Sequence, residues 1–486
     1  MRSMLRRSFF VLMLLFCAAA CAPGRLVAPP ESPDTVSFAP AQPETWKLAN
    51  GLTVMWMPDD ELPLFSGTLY LKGGSLWEKG LKPGVTSVMG SQLREGGAGS
   101  WSPDELDREL EKLAASISSG YSEESGSIGF SCLAKDSQQV FAMFSDVLLR
   151  PRFDRGRFAL WQAQSLEDIK RRADNSQNIV AIGLRQLLFG GTPYGRVLGS
   201  KEVKALSVAD LLSAYSRFVH PEGAILALSG SLPREQVQAM VEQYLGGWEA
   251  SAGQQLRTPP VLDKPAAEPA FYFVELPRKQ ATVLIGQRGV SRHSPDRMAI
   301  DVFNEAFGSG SFNSRLMQNV RDRLGLAYSA MGGMEANALQ GRNLIMFETR
   351  LDKTGPAIKE ALRTLREMQD RELSQAELAE IQAGIENSFV FKFDKRREAL
   401  NRRAQQTLTG YPDNWDAEYL ARLRAVDAAA VRQTALKYWK PAEFVIIVVG
   451  DQRAYNSLVS ELDSLSGLGA PKLIKKARFN EVLEYQ

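Results

Sequence analysis

Apolar residues along this chain recur with two different periods. Short apolar runs bounded by turn residues predict strands, and these runs span 52–57, 68–71, 271–276, 282–285 and 344–351. Between residues 83 and 93 the apolar residues Val85, Val88, Met89 and Leu93 recur at helical spacing, which predicts an amphipathic helix. Both halves of the chain therefore combine strands with helices.

Residues that cap helices mark where other helices begin. Ser102 is followed by a proline and two acids, which suit the first turn and the positive end of a helix dipole. Ser294-Pro295 predicts a further helix start, and Ser374 with Glu377 has the spacing of a capping box.

One segment of the pattern occurs twice. The residues around Pro221 and Pro441 both predict a helix end, a proline-led turn, a buried strand closed by glycine, and another helix. The apolar strand runs are 224–228 and 444–449, and the two prolines lie 220 residues apart. A single repeat of this length indicates a duplicated domain and not a short-period solenoid.

The pattern as a whole predicts an α+β protein. We expect two homologous α/β sandwich domains with mixed, largely antiparallel sheets and helices on one face of each sheet. The first domain is predicted at 46–250 and the second at 269–486. The segment 251–268 contains three prolines and lacks a helical period, which predicts a linker.

Length and charge narrow the possible functions. A chain of 486 residues exceeds what one hydrophobic core holds, which agrees with two domains. The formal net charge is +2, and three arginines within the first twenty residues, Arg2, Arg6 and Arg7, reduce it to −1 when they are left out. A nearly neutral protein has no general electrostatic reason to bind nucleic acid.

The N-terminus has the features of a secretory signal. A basic start precedes the apolar run Phe9 to Ala20, which is too short to span a bilayer as a helix. The run ends Ala18-Ala19-Ala20-Cys21, which resembles a bacterial lipobox. We therefore expect residues 1–20 to be a lipoprotein signal peptide and Cys21 to be lipidated. A plain signal peptide cut near Ala20 is the alternative.

Residues 21–45 are rich in proline and predict a tether between the membrane and the folded domains. Ala22 follows the cysteine, and the absence of Asp at that place resembles the signal for sorting to the outer membrane. We expect a periplasmic protein anchored by its lipid, at the outer membrane of a Gram-negative bacterium. The lipid is the only membrane contact that the sequence predicts.

Cysteine content agrees with this interpretation. Cys17 would leave with the signal peptide and Cys21 would carry the lipid, so that only Cys132 remains. No internal disulfide can then form. Cys132 lies among apolar neighbours without a basic residue, which predicts a buried, inert thiol.

The most specific motif lies within residues 311–330, SFNSRLMQNVRDRLGLAYSA. Ser314-Arg315-Leu316, Arg321 and Gly325-Leu326-Ala327-Tyr328 resemble the Arg/Tyr segment of insulinase-like (pitrilysin-type) zinc metallopeptidases, which include the mitochondrial processing peptidase. In that family the Arg and Tyr stand seven positions apart, as Arg321 and Tyr328 do. The resemblance spans about residues 45–480 and implies two similar sandwich domains that form half of a clamshell.

The resemblance also implies roles for the two residues. Tyr328 would stabilise the oxyanion of peptide hydrolysis, and Arg321 would contact a substrate carbonyl. From the residues alone, an alternative is that Arg321 pairs with Asp322 or Glu305 and that Tyr328 begins a strand.

The zinc motif of that family, His-x-x-Glu-His, is absent from the chain. Alignment of the glycine-led helix start at 82–85 places Ser87 and Ser91 where the family has its two histidines, and Gly90 where it has the catalytic Glu. The third ligand of the family falls on Asp168. Serine is a poor zinc ligand and glycine has no side chain, so we expect these four positions to be a degenerate site without catalytic zinc.

The two histidines and the glycine-rich segment offer other chemistry. For His220 and His293, a structural or exposed role is expected, because each stands alone beside a turn. Gly308 and Gly310 follow a predicted helix. Non-catalytic members of the family carry a glycine-rich substrate loop near this place, so both are substrate-loop candidates, whereas a helix C-cap with a turn is the alternative.

Three functional hypotheses remain. The leading one is a catalytically incomplete subunit of a periplasmic zinc metallopeptidase, which binds no cofactor and supplies Arg321 and Tyr328 to a partner chain carrying His-x-x-Glu-His and zinc. The pair would enclose a peptide or unfolded polypeptide, bound as an added strand on a sheet edge. The second is a non-enzymatic peptide-binding or scaffold lipoprotein of the cell envelope. The third is a self-sufficient peptidase with rearranged ligands.

Overall fold

The computed structural model describes residues 40–249, 262, 267–309 and 313–477. The predicted signal peptide, Cys21, Gly310 and most of the predicted linker lie outside these residues. Residues from Pro40 onward belong to one unit. Within the described ranges, none of the helices is long and apolar enough to cross a bilayer.

The first half of the chain forms six strands and eight α-helices among its described residues. The strands are β1 Glu44–Lys47, β2 Thr53–Pro58, β3 Leu64–Lys72, β4 Ser116–Tyr121, β5 Ser125–Leu133 and β6 Ile225–Gly230. The helices are α1 Val85–Glu95, α2 Pro103–Lys112, α3 Ser137–Leu149, α4 Arg155–Arg171, α5 Ser176–Phe189, α6 Ser200–Ala205, α7 Val208–Phe218 and α8 Arg234–Leu245.

The second half repeats this order with small changes. Its strands are β7 Ala270–Glu275, β8 Gln280–Arg288, β9 Ala327–Glu335, β10 Arg342–Arg350, β11 Val445–Gly450 and β12 Ile474–Lys476. Its helices are α9 Arg297–Asn304, α10 Thr354–Asp370, α11 Gln375–Phe389, α12 Arg396–Leu408, α13 Trp415–Arg424, α14 Ala428–Tyr438, α15 Gln452–Ser460 and α16 Leu462–Gly467. Two π-helical segments, Glu305–Ser309 and Met317–Arg323, follow α9.

The two sheets share the topology of five of their six strands and differ at one edge strand. The strand order is β1-β2-β6-β3-β5-β4 in the first sheet and β12-β7-β11-β8-β10-β9 in the second. In the first sheet one parallel pair (β2 with β6) lies among antiparallel pairs, whereas in the second sheet β7 pairs in parallel with both β11 and β12. The predicted fold class, two α+β sandwiches with mixed sheets, is therefore confirmed, and the repeat seen in the sequence is a repeat of the sheet.

The repeated strands β6 and β11 are buried along their whole length, because both faces of each strand are covered. This explains their unbroken apolar sequences, since a strand with only one covered face alternates between apolar and polar residues. On one face of the first sheet, helices including α1, α3 and α8 enclose a large apolar core that contains Phe130, Phe141 and Phe144.

Each sheet also receives a helix from the other half of the chain. Leu400, Ala404 and Leu408 of α12 pack on the second face of the first sheet. In the same way, α5 packs on the second sheet. The two helices begin 220 residues apart, at Ser176 and Arg396, so the exchange follows the sequence repeat. The sequence predicted helices on one face only, and the exchange supplies the second layer.

Hydrogen bonds at the hairpin tips join the two halves. Glu124, in the turn between β4 and β5, accepts hydrogen bonds from Tyr194 at 2.9 Å and from the backbone N–H of Ala338 at 2.6 Å. It also pairs with Arg292 of the second half. A carboxylate with three such partners fixes the position of the hairpin.

Helix starts agree with the sequence in two of three cases. Ser102 caps α2 in a capping box, and the Ser374 side chain accepts from the Glu377 N–H at 3.2 Å. The helix start predicted at Ser294-Pro295 is wrong by two residues, because those residues form a turn and α9 begins at Arg297.

Candidate functional site

Arg321 and Tyr328 lie side by side in the second half. Arg321 belongs to the π-helical segment Met317–Arg323, and Tyr328 is the second residue of β9. The Arg321 guanidinium carbon lies 5.4 Å from the centre of the Tyr328 ring, a cation–π distance. Arg321 Nε also lies 3.8 Å from Asp322, the acid that the alternative interpretation proposed as its partner.

Tyr328 is 84% exposed, although it is a large aromatic residue. An aromatic side chain in a strand ordinarily packs on its neighbours. Here the pairing of β9 with β10 shifts register between Phe347 and Thr349, directly opposite Tyr328. A bulge of this kind turns side chains away from the sheet, which explains how the hydroxyl is presented to solvent.

The Arg/Tyr pair borders a cavity of about 600 Å³ along the outer edge of β9. Met317, Met331, Met334 and Leu344 give it apolar walls, and Met331 is 53% exposed. The cavity also has polar groups, including Arg321, Tyr328 and Glu335, and its volume suits a small ligand or a peptide segment.

Side chains already occupy some of the backbone hydrogen-bonding groups at the edge of β9. Asn304 receives the Met334 N–H at 2.7 Å and donates to the Met334 carbonyl at 3.0 Å, as a neighbouring strand would. The Ala330 N–H points to the sulfur of Met317 at 3.3 Å. These contacts restrict the addition of another strand along β9, whereas β4, the corresponding edge of the first sheet, faces no further strand in the described sheets.

Gly308 belongs to the π-helical segment Glu305–Ser309, which forms one wall of this cavity. A Cβ at Gly308 would lie 2.7 Å from the Gly332 nitrogen of β9, so only glycine lets the two backbones approach. The glycine therefore has a packing role here. Its companion Gly310 falls outside the described part of the chain.

A second cavity of about 310 Å³ lies on the other side of α9 and contains Glu305 and Lys392. Burial raises the pKa of the Glu305 carboxyl, and Lys392 opposes that effect. Burial likewise lowers the pKa of the Lys392 amine, whose nitrogen lies 5.4 Å from the ring centre of Phe389.

Ser87, Gly90 and Ser91 lie on α1, the helix predicted at 83–93, and Asp168 lies on α4. Their side chains are unsuited to a metal. The Ser91 hydroxyl donates to the Val88 carbonyl at 3.1 Å, and Asp168 is exposed at the surface.

Gly90 leaves no room for a catalytic base. A Cβ at this position would lie 2.5 Å from the backbone nitrogen of Tyr121 and 2.8 Å from the carbonyl carbon of Gly120, both in β4. Ser119 holds the strand there by donating to the Gly90 carbonyl at 2.6 Å. A larger side chain would require α1 and β4 to separate.

The charges near Ser87 also give no excess of acids to hold a divalent metal ion. The cavity of about 510 Å³ that Ser87 borders is lined by four arginines, Arg172, Arg185, Arg196 and Arg342, and by a single acid, Glu123. Three of these arginines already pair with carboxylates, namely Glu123, Glu78 and Glu335. Positive charges at short range raise the energy of a bound metal ion. The residues at this place therefore do not fit zinc, and within the described ranges no three metal-ligating side chains come together elsewhere.

The remaining candidate residues have local contacts. His293 lies with Nε2 at 2.9 Å from the Thr409 carbonyl oxygen, and His220 follows α7 in a half-buried position. Cys132 is buried in β5, as predicted, and burial raises the pKa of its thiol to about 12, which disfavours the reactive thiolate.

Sequence reasoning missed the methionine-lined cavity and the arginines beside Ser87. Met331 and Met334 lie in β9 and Met317 in the preceding π-helical segment, and only the packing of that segment against β9 brings the three together. The close approach of Gly90 to β4 was equally invisible, since a glycine within a helical pattern gives only a weak signal of backbone contact.

Two family models match the chain. The model described as Insulinase (Peptidase family M16) matches residues 65–201, and the model described as Peptidase M16 inactive domain matches residues 205–385. An uncharacterized zinc protease of Mycobacterium leprae is 28% identical over 211 residues, which are 43% of this chain and 47% of that protein. The match thus spans about half the length of that relative. An uncharacterized zinc protease of Mycobacterium bovis is 22% identical over 339 residues, 69% of this chain and 76% of the relative.

Solved structures share the fold. A peptidase M16 inactive domain from Pseudomonas fluorescens superposes with a TM-score of 0.77 at 21% identity, over 85% of this chain and 98% of that one. A protease from Helicobacter pylori gives 0.76 at 16% identity, over 85% and 100%. The periplasmic protease PqqL from Escherichia coli gives 0.69 at 17% identity, over 89% of this chain and 48% of PqqL. At these identities the likeness shows the fold alone.

Proposed function

The chain belongs to the insulinase-like M16 peptidase family, and from that premise we propose that it is the catalytically incomplete subunit of a periplasmic zinc metallopeptidase. In this proposal it supplies Arg321 and Tyr328 to a partner chain that carries His-x-x-Glu-His and zinc. The proposal rests on a contrast between two sites. Arg321 and Tyr328 meet at an open cavity. At Gly90, where the family has its catalytic Glu, strand β4 leaves no room for a side chain.

The chemistry of the pair suits a role in peptide hydrolysis. The Tyr328 hydroxyl is exposed and can donate a hydrogen bond to an oxygen that becomes negative as a peptide carbonyl is attacked. Arg321 stands beside it as a permanent cation and can bind a substrate carbonyl. Donors of this kind typically contribute about 3 kcal/mol each to stabilising the transition state.

The peptide would lie between the two chains. The free edge of β4 offers backbone groups to an added strand, and the cavity beside β9 offers apolar contact to a side chain. The lipidation of Cys21, the periplasmic location and the outer membrane belong to the same proposal. The printed description of PqqL as a periplasmic protease agrees with that location.

A pull-down of the chain from envelope extract, with metal analysis of the eluate, tests the partnership. We expect a co-purifying chain with His-x-x-Glu-His and about one zinc per pair. The recovered pair should cleave a quenched peptide, and Arg321→Ala should slow cleavage. Arg366→Ala is the matched control, because Arg366 is an exposed arginine of α10 that pairs with Asp370 on its own helix. Cleavage by the partner alone, unchanged by this chain, would refute the proposal.

The second candidate is a non-enzymatic peptide-binding or scaffold lipoprotein of the cell envelope. It is favoured by the cavity beside β9, which can receive a peptide whether or not a metal is near. Peptide binding by the purified chain, with no zinc-bearing chain in the pull-down, would select this function over the first.

A further inference from the structure

One end of the first sheet carries exposed apolar side chains. β2 ends there and β3 begins there, since Pro58 pairs with Gly230 and Leu64 pairs with Leu133. In the turn between the two strands Leu62 is 58% exposed, and Leu64 is 39% exposed. Two leucines exposed at one turn have no role in the core.

The described chain also begins at this end. β1 runs antiparallel to β2, and Glu44 at its start pairs with Trp56 near the end of β2. The segment from Pro40 to Glu44 therefore approaches the sheet from the side of Leu62. Between Cys21 and Pro40 lie 18 residues, which span at most about 65 Å. A lipid on Cys21 would hold this end of the sheet near the membrane.

Helix α12 brings a third apolar residue to the same end. Gln405, near the C-terminus of α12, donates to the Tyr70 hydroxyl at 3.4 Å, and Tyr70 lies at the far end of β3 from Leu64. The helix packs along the sheet through Leu400, Ala404 and Leu408, so its N-terminus points toward Leu64. The turn before α12, Val390–Phe393, exposes 71% of Phe391.

The sequence repeat supports this placement independently. Arg278, two residues before β8, donates to the Ala173 carbonyl at 2.6 Å and to Ser176 at 3.0 Å, at the turn before α5. Leu62 stands two residues before β3, as Arg278 does before β8. By this analogy we infer that the turn before α12 lies near Leu62.

Basic residues surround Phe391. Lys395, Arg396 and Arg397 are exposed, whereas Lys392 borders the cavity that contains Glu305. Of these four, Lys395 alone forms an ion pair, with Glu398, in the part of the chain that the structure describes. Asp394 and the acids of the turn 59–61 offset this charge. Attraction to a membrane surface must therefore come chiefly from the apolar side chains Leu62, Leu64 and Phe391. Arg396 and Arg397 are near enough to bind phosphate groups.

We propose that this end of the first sheet is a membrane-docking surface, formed by Leu62, Leu64 and Phe391 with Arg396 and Arg397, and that it lies on a phospholipid bilayer. The proposal deepens the proposed location, because it rests on a membrane-attached chain and adds a contact beyond the lipid. The three apolar side chains enter the interface between headgroups and acyl chains, and the two arginines bind lipid phosphates.

Vesicle binding tests the surface without the lipid. The chain from residue 21 with Cys21→Ser is sedimented with vesicles of phosphatidylethanolamine and phosphatidylglycerol. We expect binding, and about a tenfold loss with Phe391→Ser, since the variant no longer buries an aromatic ring in the interface. Leu212→Ser is the matched control, because Leu212 is 47% exposed on α7, and it should bind like the parent.

Other outcomes would overturn the proposal. Absence of vesicle binding, or equal losses for Phe391→Ser and Leu212→Ser, would refute a docking surface. Loss of the zinc-bearing chain from a pull-down with Phe391→Ser, while vesicle binding stays intact, would assign the surface to a protein. Acyl labelling of the wild-type chain tests Cys21 separately, so failure of the anchor is distinguishable from failure of the surface.

Discussion

Gly90→Ala tests whether strand β4 closes the position of the missing catalytic base. The new methyl carbon would lie 2.5 Å from the Tyr121 nitrogen and 2.8 Å from the Gly120 carbonyl carbon. Both are backbone atoms of a strand paired with β5, so they cannot rotate away as a side chain would. Within a helix, alanine is favoured over glycine by about 1 kcal/mol. Overpacking costs about 1–3 kcal/mol, and contact with backbone places this site at the upper end.

The net expectation is a loss of about 2 kcal/mol in the free energy of unfolding. Urea unfolding followed by circular dichroism measures it. Gly384→Ala is the matched control, because Gly384 lies in α11 and a Cβ there meets no atom within 4 Å. That variant should gain up to about 1 kcal/mol. If Gly90→Ala were as stable as Gly384→Ala, the close approach of α1 to β4 would be refuted.

Three further predictions concern the titration of Glu305, the contacts of Glu124 between the two halves, and the reactivity of the Cys132 thiol. Burial raises the folded-state pKa of the Glu305 carboxyl, so its ionisation lowers the free energy of unfolding as pH rises. Glu305→Gln should therefore raise the midpoint of thermal unfolding at pH 8 and have little effect on it at pH 4. Glu124→Ala should destabilise by about 1–3 kcal/mol in urea, because Tyr194 and the Ala338 N–H lose their acceptor; an unchanged midpoint would contradict this. Cys132 should resist a thiol reagent at pH 8 until urea unfolds the chain, because burial raises its pKa to about 12.

The fold could be predicted from the sequence because the signals for its strands and helices are local or repeated. The strands around Pro221 and Pro441 were predicted from apolar runs and from their separation of 220 residues, and β6 and β11 occupy those places. The exchange of α5 and α12 was not predictable from periodicity, since an apolar helix face does not state which sheet it covers.

The candidate site was predicted unevenly. The resemblance singled out Arg321 and Tyr328, and the structure brings their side chains together, although one lies in a π-helical segment and the other in a strand. The cavity beside them depends on Asn304, Gly308 and Met331, which are separated along the chain and meet only at the edge of β9. The contact of Gly90 with Tyr121 likewise joins two elements that carry no shared sequence signal.

The most direct test of the account is the peptidase turnover of the purified chain paired with its zinc-bearing partner, compared between wild type and Tyr328→Phe. The substitution removes one hydroxyl from a side chain that is 84% exposed, so folding and pairing should be unaffected. We expect kcat to fall by about a hundredfold, as when one donor to a developing oxyanion is removed. Equal turnover by the two pairs, at equal assembly, would contradict the role of this chain in the reaction.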